Sequence, residues 1–271
     1  MTDPTMPPTS EPVRYQTDGG VATITLNRPD RLNSLDLATK EALLDAAQRA
    51  ATDASVRCVV LTGSGRAFSV GQDLREHIDN LASKPLAEVW STVDDHYTPI
   101  ALCLATMEKP VIAAVNGVAA GAGMSIALAC DLRIAAESAS FNTAFTGVGL
   151  SCDTGASWTL PRLVGAGRAA ELLMIPRTLS AMDALAIGLV TRVVPDDGLA
   201  ALASGLSAQL ADGPTLAYAS VKKAMAYAAA HPLGEALVFE GRLMGLTGGS
   251  EDHRDAVQSF VAKEKPTFQG R

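Results

Sequence analysis

Two glycine- and alanine-rich segments, Ala67-Phe-Ser-Val-Gly-Gln-Asp-Leu74 and Asn116-Gly-Val-Ala-Ala-Gly-Ala-Gly-Met124, have the composition of a backbone anion site. Each follows a short apolar run, Cys58-Val-Val-Leu-Thr62 and Val111-Ile-Ala-Ala-Val115, and each leads toward a helical pattern. Small side chains let a bound oxygen approach the main chain, and a helix N-terminus adds unsatisfied N–H donors and a partial positive charge. Two such turns meeting at one point make an oxyanion hole, a device for stabilising charge on a carbonyl oxygen. The same residues also serve in ordinary strand-to-helix connections, which need small side chains for packing alone.

The elements around them read as alternating strands and helices. Val13-Arg-Tyr-Gln16 and Val21-Ala-Thr-Ile-Thr-Leu26, separated by Asp18-Gly-Gly20, predict a hairpin. Asp36 is a candidate N-cap for a helix carrying Ala42, Leu43, Ala46, Ala47 and Ala50 on or near one face. A strand over 57–62 follows, then a mostly helical stretch over 85–107. Pro110 opens a buried strand, a helix is expected over 122–129 and a strand over 132–136. Beyond Trp158 the pattern is helical, with helices over 215–227, 234–246 and 250–261. No internal repeat is visible. The expected organisation is a tail over 1–12, whose prolines at 4, 7, 8 and 12 suit disorder, a mixed core over 13–195 and a helical region over 196–271.

Composition narrows the function classes. The 271 residues suffice for a large core, and 48% hydrophobic with only 4% aromatic residues fits an α/β enzyme-like protein. A net charge of −7 with no basic stripe argues against nucleic acid. No apolar run reaches the length of a membrane span and no signal peptide is evident, so the expected location is the cytoplasm. Cys58, Cys103, Cys130 and Cys152 stand singly, without C-x-x-C spacing, and read as reduced thiols with no structural zinc. Cys152, beside Asp153, is the one with a possible nucleophilic role. His77, His96, His231 and His253 lack metal-ligand spacing, although His77 and His96 fall where an acyl pocket is expected. Gly165-Ala-Gly-Arg-Ala-Ala170 has dinucleotide-site spacing with no strand to feed it, and no G-x-S-x-G elbow is present.

Several segments in register resemble the enoyl-CoA hydratase/isomerase, or crotonase, superfamily. They are Ile24-Thr-Leu-Asn-Arg-Pro-Asp-Arg-Leu-Asn33, the two glycine-rich segments with their strands, Trp158-Thr-Leu-Pro-Arg-Leu-Val-Gly165, Ala186-Ile-Gly-Leu-Val190 and Lys265-Pro-Thr-Phe-Gln-Gly-Arg271. The resemblance implies an α/β spiral of ββα units followed by helices that build a homotrimer or a dimer of trimers. It implies an acyl-CoA thioester ligand, with coenzyme A entering as part of the substrate and no separate cofactor or metal. The thioester oxygen would accept the backbone N–H groups of Gln72 and Ala122. Arg31, Lys265 and Phe268 fall where the family often contacts the nucleotide end of CoA, the last two commonly from a neighbouring subunit.

The departures matter most. Hydratases of this family hold a water between two glutamates, and those positions are Ser125 and Phe145 here. A carboxylate appears instead at Asp153, where dienoyl-CoA isomerases, phenylacetate-pathway isomerases and chlorobenzoyl-CoA dehalogenases keep their working aspartate; the phenylacetate-pathway isomerases are the most similar in motif. Without the resemblance, Asp153-Thr-Gly155 reads equally as a helix cap. With it, the expectation is an enoyl-CoA isomerase using Asp153 for a 1,3-proton shift. A hydratase with water held by Asp153 and Ser125, and a non-catalytic acyl-CoA binder, remain as alternatives. Phe145, replacing a charge, predicts an apolar pocket wall compatible with aryl or long aliphatic acyl groups.

Overall fold

At the first turn, Gly19 and Gly20 both adopt positive φ, +52° and +79°, as a two-residue hairpin loop requires. They join β1 (Val13–Asp18) to β2 (Val21–Leu26) in antiparallel register. The computed structural model describes residues 11–271. The proposed tail over 1–12 therefore lies almost wholly outside the described residues; Glu11 and Pro12 accept hydrogen bonds from Asn27. Asp36 caps α1 (Leu37–Thr52) by accepting the Thr39 amide at 2.9 Å, a contact worth about 1 kcal/mol. The stripe of Leu43, Ala46, Ala47 and Ala50 is buried.

A structural repeat follows that the residues do not advertise. Three times a long strand is succeeded by a short strand and then helix. β3 (Cys58–Gly63) and β4 (Ala67–Ser69) precede α2 (Leu74–Ser83), α3 (Leu86–Thr92) and α4 (Thr98–Thr106). β5 (Val111–Val115) and β6 (Val118–Ala120) precede α5 (Ala122–Ala129). β7 (Leu132–Ala136) and β8 (Ser140–Asn142) precede α6 (Ala156–Val164) and α7 (Ala166–Met174). The long strands form a six-stranded sheet in the order β1-β2-β3-β5-β7-β10, closed by β10 (Arg192–Val194) and parallel throughout except for β1. The short strands form a second sheet, β4-β6-β8-β9, with β9 (Leu179–Ser180) antiparallel to β8 and α8 (Ala181–Ala186) following it. The two glycine-rich segments thus contain strands as well as turns, and β9 and β10 interrupt a stretch whose pattern is helical.

Alternation along the buried parallel strands divides the core. Val59, Leu61, Val111, Ala113 and Val115 face one layer with Leu43, Ile100, Leu104 and Met124. Cys58, Val60, Ile112 and Ala114 face the other, covered by α9 (Leu199–Ala211) through Leu199, Ala203 and Ala211. Each fully buried aliphatic side chain contributes roughly 1.5–3 kcal/mol. The remaining helices are α10 (Thr215–Ala228), α11 (Leu233–Gly248) and α12 (Glu251–Ala262). Among the described residues no helix is long and apolar enough to cross a membrane.

Candidate active site

The two glycine-rich segments touch backbone to backbone. Gly71 has φ +81°, and a Cβ there would lie 2.8 Å from the Ala120 carbonyl oxygen and 3.0 Å from the Ala122 amide nitrogen. A Cβ on Gly123 would lie 2.3 Å from the Ser69 carbonyl oxygen. Only glycine permits both approaches. The contact is fixed from behind by Asn33, whose side-chain amide donates to the Ala67 and Ser64 carbonyls at 2.7 and 2.9 Å, while the Ser69 hydroxyl donates to the Asn33 carbonyl at 2.8 Å.

This junction leaves two amides unused. Leu35 donates to the Gly71 carbonyl at 2.8 Å and the Asp73 amide donates to the Leu35 carbonyl at 3.2 Å, so in extended backbone the intervening Gln72 N–H turns away from Leu35. Ala122 is the first residue of α5, where no preceding helical carbonyl is available. Among the described residues neither N–H donates to a protein acceptor, and both residues line one cavity. Asp73 caps α2 through the Arg75 and Glu76 amides and accepts from Arg28 and Ser34. Burial would raise its carboxyl, but these bonds outweigh burial and hold it below the ordinary carboxylate range.

The cavity, about 140 Å³ and open to solvent on one side, has Asp153 as its only carboxylate among the described residues. Asp153 is no helix cap. Thr154 and Gly155 take positive φ, +53° and +80°, α6 starts at Ala156 with Gly155 in the cap position, and the Asp153 side chain accepts the Thr154 hydroxyl, at 2.7 Å, rather than an amide of α6. That left-handed turn lets the carboxyl line the cavity while the chain enters α6. Burial pushes its pKa above the usual value, partly opposed by the Thr154 hydrogen bond.

The remaining walls are largely apolar: Leu74, Val93, Phe145, Val148 and Leu150, with His77 and Trp90 facing each other at 5.3 Å between ring centroids. Tyr97 reaches the cavity from a π-helical turn over Val93–Tyr97 between α3 and α4. Its hydroxyl donates to Gln72 Oε1 at 2.6 Å. Burial, then the carboxylates of Asp153 and Glu76, push the phenol well above its ordinary pKa, so it stays neutral and serves as a donor.

Other candidates lie apart. Ser125 is buried on α5, and its hydroxyl donates to the Gly121 carbonyl at 3.1 Å rather than into the cavity. Arg31 and Lys265 are exposed. Phe268 sits in a groove with Leu216, Met244 and His253, and its carbonyl accepts from Arg57 at 2.9 Å. Cys152 is a free, half-buried thiol outside the cavity lining. Burial pushes Cys58 and Cys130 up to about 12, keeping them protonated. His96 contacts Thr92 at 3.2 Å in a neighbouring pocket, and Gly165 joins two helices without a strand. Residue-by-residue reading missed Tyr97, Trp90 and Lys40. Lys40 did carry a signal: a charge three residues before Leu43 and seven before Ala47 falls on the buried stripe of α1.

Comparison with known proteins agrees with this architecture. The family model for enoyl-CoA hydratase/isomerase matches residues 16–271, and the chain belongs to that family. A Rhodobacter capsulatus protein named "Probable enoyl-CoA hydratase" is 42% identical over 259 residues, spanning 96% of this chain and 98% of the relative. The 1,2-epoxyphenylacetyl-CoA isomerase of Escherichia coli is 41% identical over 253 residues, 93% and 96% of the two chains. The crystal structure of enoyl-CoA hydratase from Bacillus anthracis superimposes with a TM-score of 0.90 at 34% identity, covering 96% of this chain and all of that one.

Proposed function

We propose that this member of the enoyl-CoA hydratase/isomerase family is an enoyl-CoA isomerase. The observation that carries the reading is one carboxylate, Asp153, in an otherwise largely apolar cavity that also receives the unused amides of Gln72 and Ala122. The thioester oxygen accepts the two N–H groups. The Asp153 carboxylate removes a proton from C2, next to the thioester carbonyl, and the electron pair delocalises to give a dienolate. Negative charge grows on the oxygen as the proton leaves, so donors aimed there lower the barrier, at about 3 kcal/mol each. Protonated Asp153, whose acidic proton exchanges with solvent, then delivers a proton to C4, and the double bond has moved with no net gain or loss of atoms. Burial, by raising the Asp153 pKa, makes the carboxylate a stronger base.

The hydratase reading needs a second group to orient water. Where the family's hydratases carry glutamates this chain has Ser125, bonded back to Gly121, and Phe145, an apolar wall. Leu74, Trp90, Phe145, Val148 and Leu150 suit an aryl or long aliphatic acyl group. Arg31, Lys265 and Phe268 are assigned to the nucleotide end of CoA, with Lys265 and Phe268 serving a neighbouring subunit's site. The exposed Met225, Leu237, Val238, Phe260 and Val261 on α10–α12 suit burial in a homotrimer, alone or doubled.

The test is incubation with panels of 2-enoyl and 3-enoyl CoA esters in deuterated water, followed by mass spectrometry. Double-bond migration with deuterium uptake and little added water is expected. Rapid formation of 3-hydroxyacyl-CoA would make the enzyme a hydratase, and binding of every ester without turnover or exchange would make it a non-catalytic binder.

A further inference from the structure

An oxyanion donor needs only a backbone N–H, so the side chain at position 72 is free of that duty. Here it is nonetheless fully engaged. Gln72 Oε1 accepts two bonds, from the Tyr97 hydroxyl at 2.6 Å and from Lys40 Nζ at 3.3 Å. Its Nε2 reaches the Asp73 carbonyl and Glu76 Oε1, both at 3.5 Å. Lys40 is 2% exposed. Its ammonium has three donors and three acceptors around it: Thr92 Oγ1 at 2.8 Å, Gln72 Oε1 at 3.3 Å and Glu76 Oε1 at 3.6 Å. Glu76 in turn accepts the Leu37 amide at 2.8 Å with its other oxygen.

Lys40, Glu76 and Tyr97 come from α1, α2 and the π-helical turn, so three elements converge on one carboxamide, and Thr92 of α3 holds Lys40 from the far side. Burying an ammonium is costly unless it is paired and hydrogen-bonded, and a methionine would fill the same volume. The charge lies behind the residue whose amide opens onto the cavity, where neither packing nor solubility calls for it.

We propose that Lys40 and Tyr97 are positioning residues that act through the Gln72 carboxamide, fixing the Gln72 peptide so that its N–H is aimed at the thioester oxygen before substrate arrives. This rests on the oxyanion reading above and deepens it. A donor that is already oriented needs no reorganisation as charge develops. Releasing the carboxamide leaves the N–H in place but lets the peptide rock, and misplacement by about 1 Å costs roughly 100-fold in rate.

The experiment reads the carbonyl itself. Hexanoyl-CoA labelled with ¹³C at the thioester carbon is bound to wild type, Lys40→Met, Tyr97→Phe and Gln72→Leu, and its carbonyl stretch is recorded by isotope-edited infrared difference spectroscopy. Wild type should shift the band to lower frequency; the variants should show a smaller shift and a broader band, with kcat reduced about 10- to 100-fold and melting temperatures near wild type. In the Gln72→Leu background, Lys40→Met should cost little more, because its route is already cut. A wild-type shift retained unchanged in all three variants, or losses that multiply in the double variant, would overturn the positioning role alone. No shift in wild type would remove the oxyanion reading and this inference with it.

Discussion

Gly71 comes so close to Ala122 that a Cβ on the glycine would lie 3.0 Å from the alanine amide nitrogen. That approach brings the two backbone donors to one cavity. Gly71→Ala must relieve both a φ of +81° and a 2.8 Å contact with the Ala120 carbonyl. It is expected to destabilise the protein by about 1–3 kcal/mol in urea unfolding and to lower kcat at least tenfold, since the carbonyl oxygen would lose a well-aimed donor. A stable, fully active variant would show that the junction does not build the hole.

Asp153 makes opposite demands on stability and activity. Its folded pKa is raised by burial, so between the ordinary carboxylate value and the raised one the folded state binds more protons than the unfolded state. Stability contributed by this group therefore falls as pH rises through that window. As the base of the proposed mechanism Asp153 has to be ionised, so kcat should rise over the same pH range and then level off. Asp153→Asn should remove the pH dependence along with turnover, while unfolding at neutral pH shows stability equal to or above wild type. A large stability loss would assign Asp153 a structural role instead.

Ser125→Ala separates the isomerase from the hydratase reading. The hydroxyl is bonded to Gly121 within its own helix, so its removal should change stability by less than about 1 kcal/mol and leave turnover unchanged. A strong loss of water addition would place the serine in the chemistry.

The carboxyl-terminal segment is latched. Asp252, buried, accepts the Gln269 and Gly270 amides at 2.6 and 2.9 Å, and its own amide donates to the Arg271 carbonyl at 3.1 Å. Asp252→Ala should expose the last residues to carboxypeptidase digestion. If Lys265 and Phe268 hold CoA, it should also raise KM for CoA esters with little change in kcat. An unchanged KM after digestion would dismiss both residues from the site.

Periodicity and capping chemistry made much of the scaffold legible. The Gly19–Gly20 hairpin, the Asp36 cap, the α5 helix and β7 all follow from local pattern. The short strands β4, Ala-Phe-Ser, and β6, Val-Ala-Ala, were hidden because three residues inside glycine-rich segments read as part of a turn, and β9 and β10 were too brief to break a helical pattern. The ββα repeat, expected from the family resemblance, does not show as an internal repeat in the residues because its units share geometry rather than sequence. At the site, the glycines and Asp153 were legible through type and register. Tyr97 was not, because a π-helical turn in a long helical stretch carries it to the cavity, and neither periodicity nor resemblance marks that turn. Lys40 was overlooked although its place on an apolar stripe announced a buried charge.

The proposed role of Asp153 is to move a proton at the carbon next to a thioester held by two backbone donors. The most direct measurement is exchange of that hydrogen with deuterated water, read by NMR on a bound enoyl-CoA ester in wild type and in Asp153→Asn. Rapid exchange at C2 and C4 is expected in wild type, and in the variant unchanged ester affinity with exchange slowed by about a thousandfold or more. Exchange at the wild-type rate in Asp153→Asn would contradict that role.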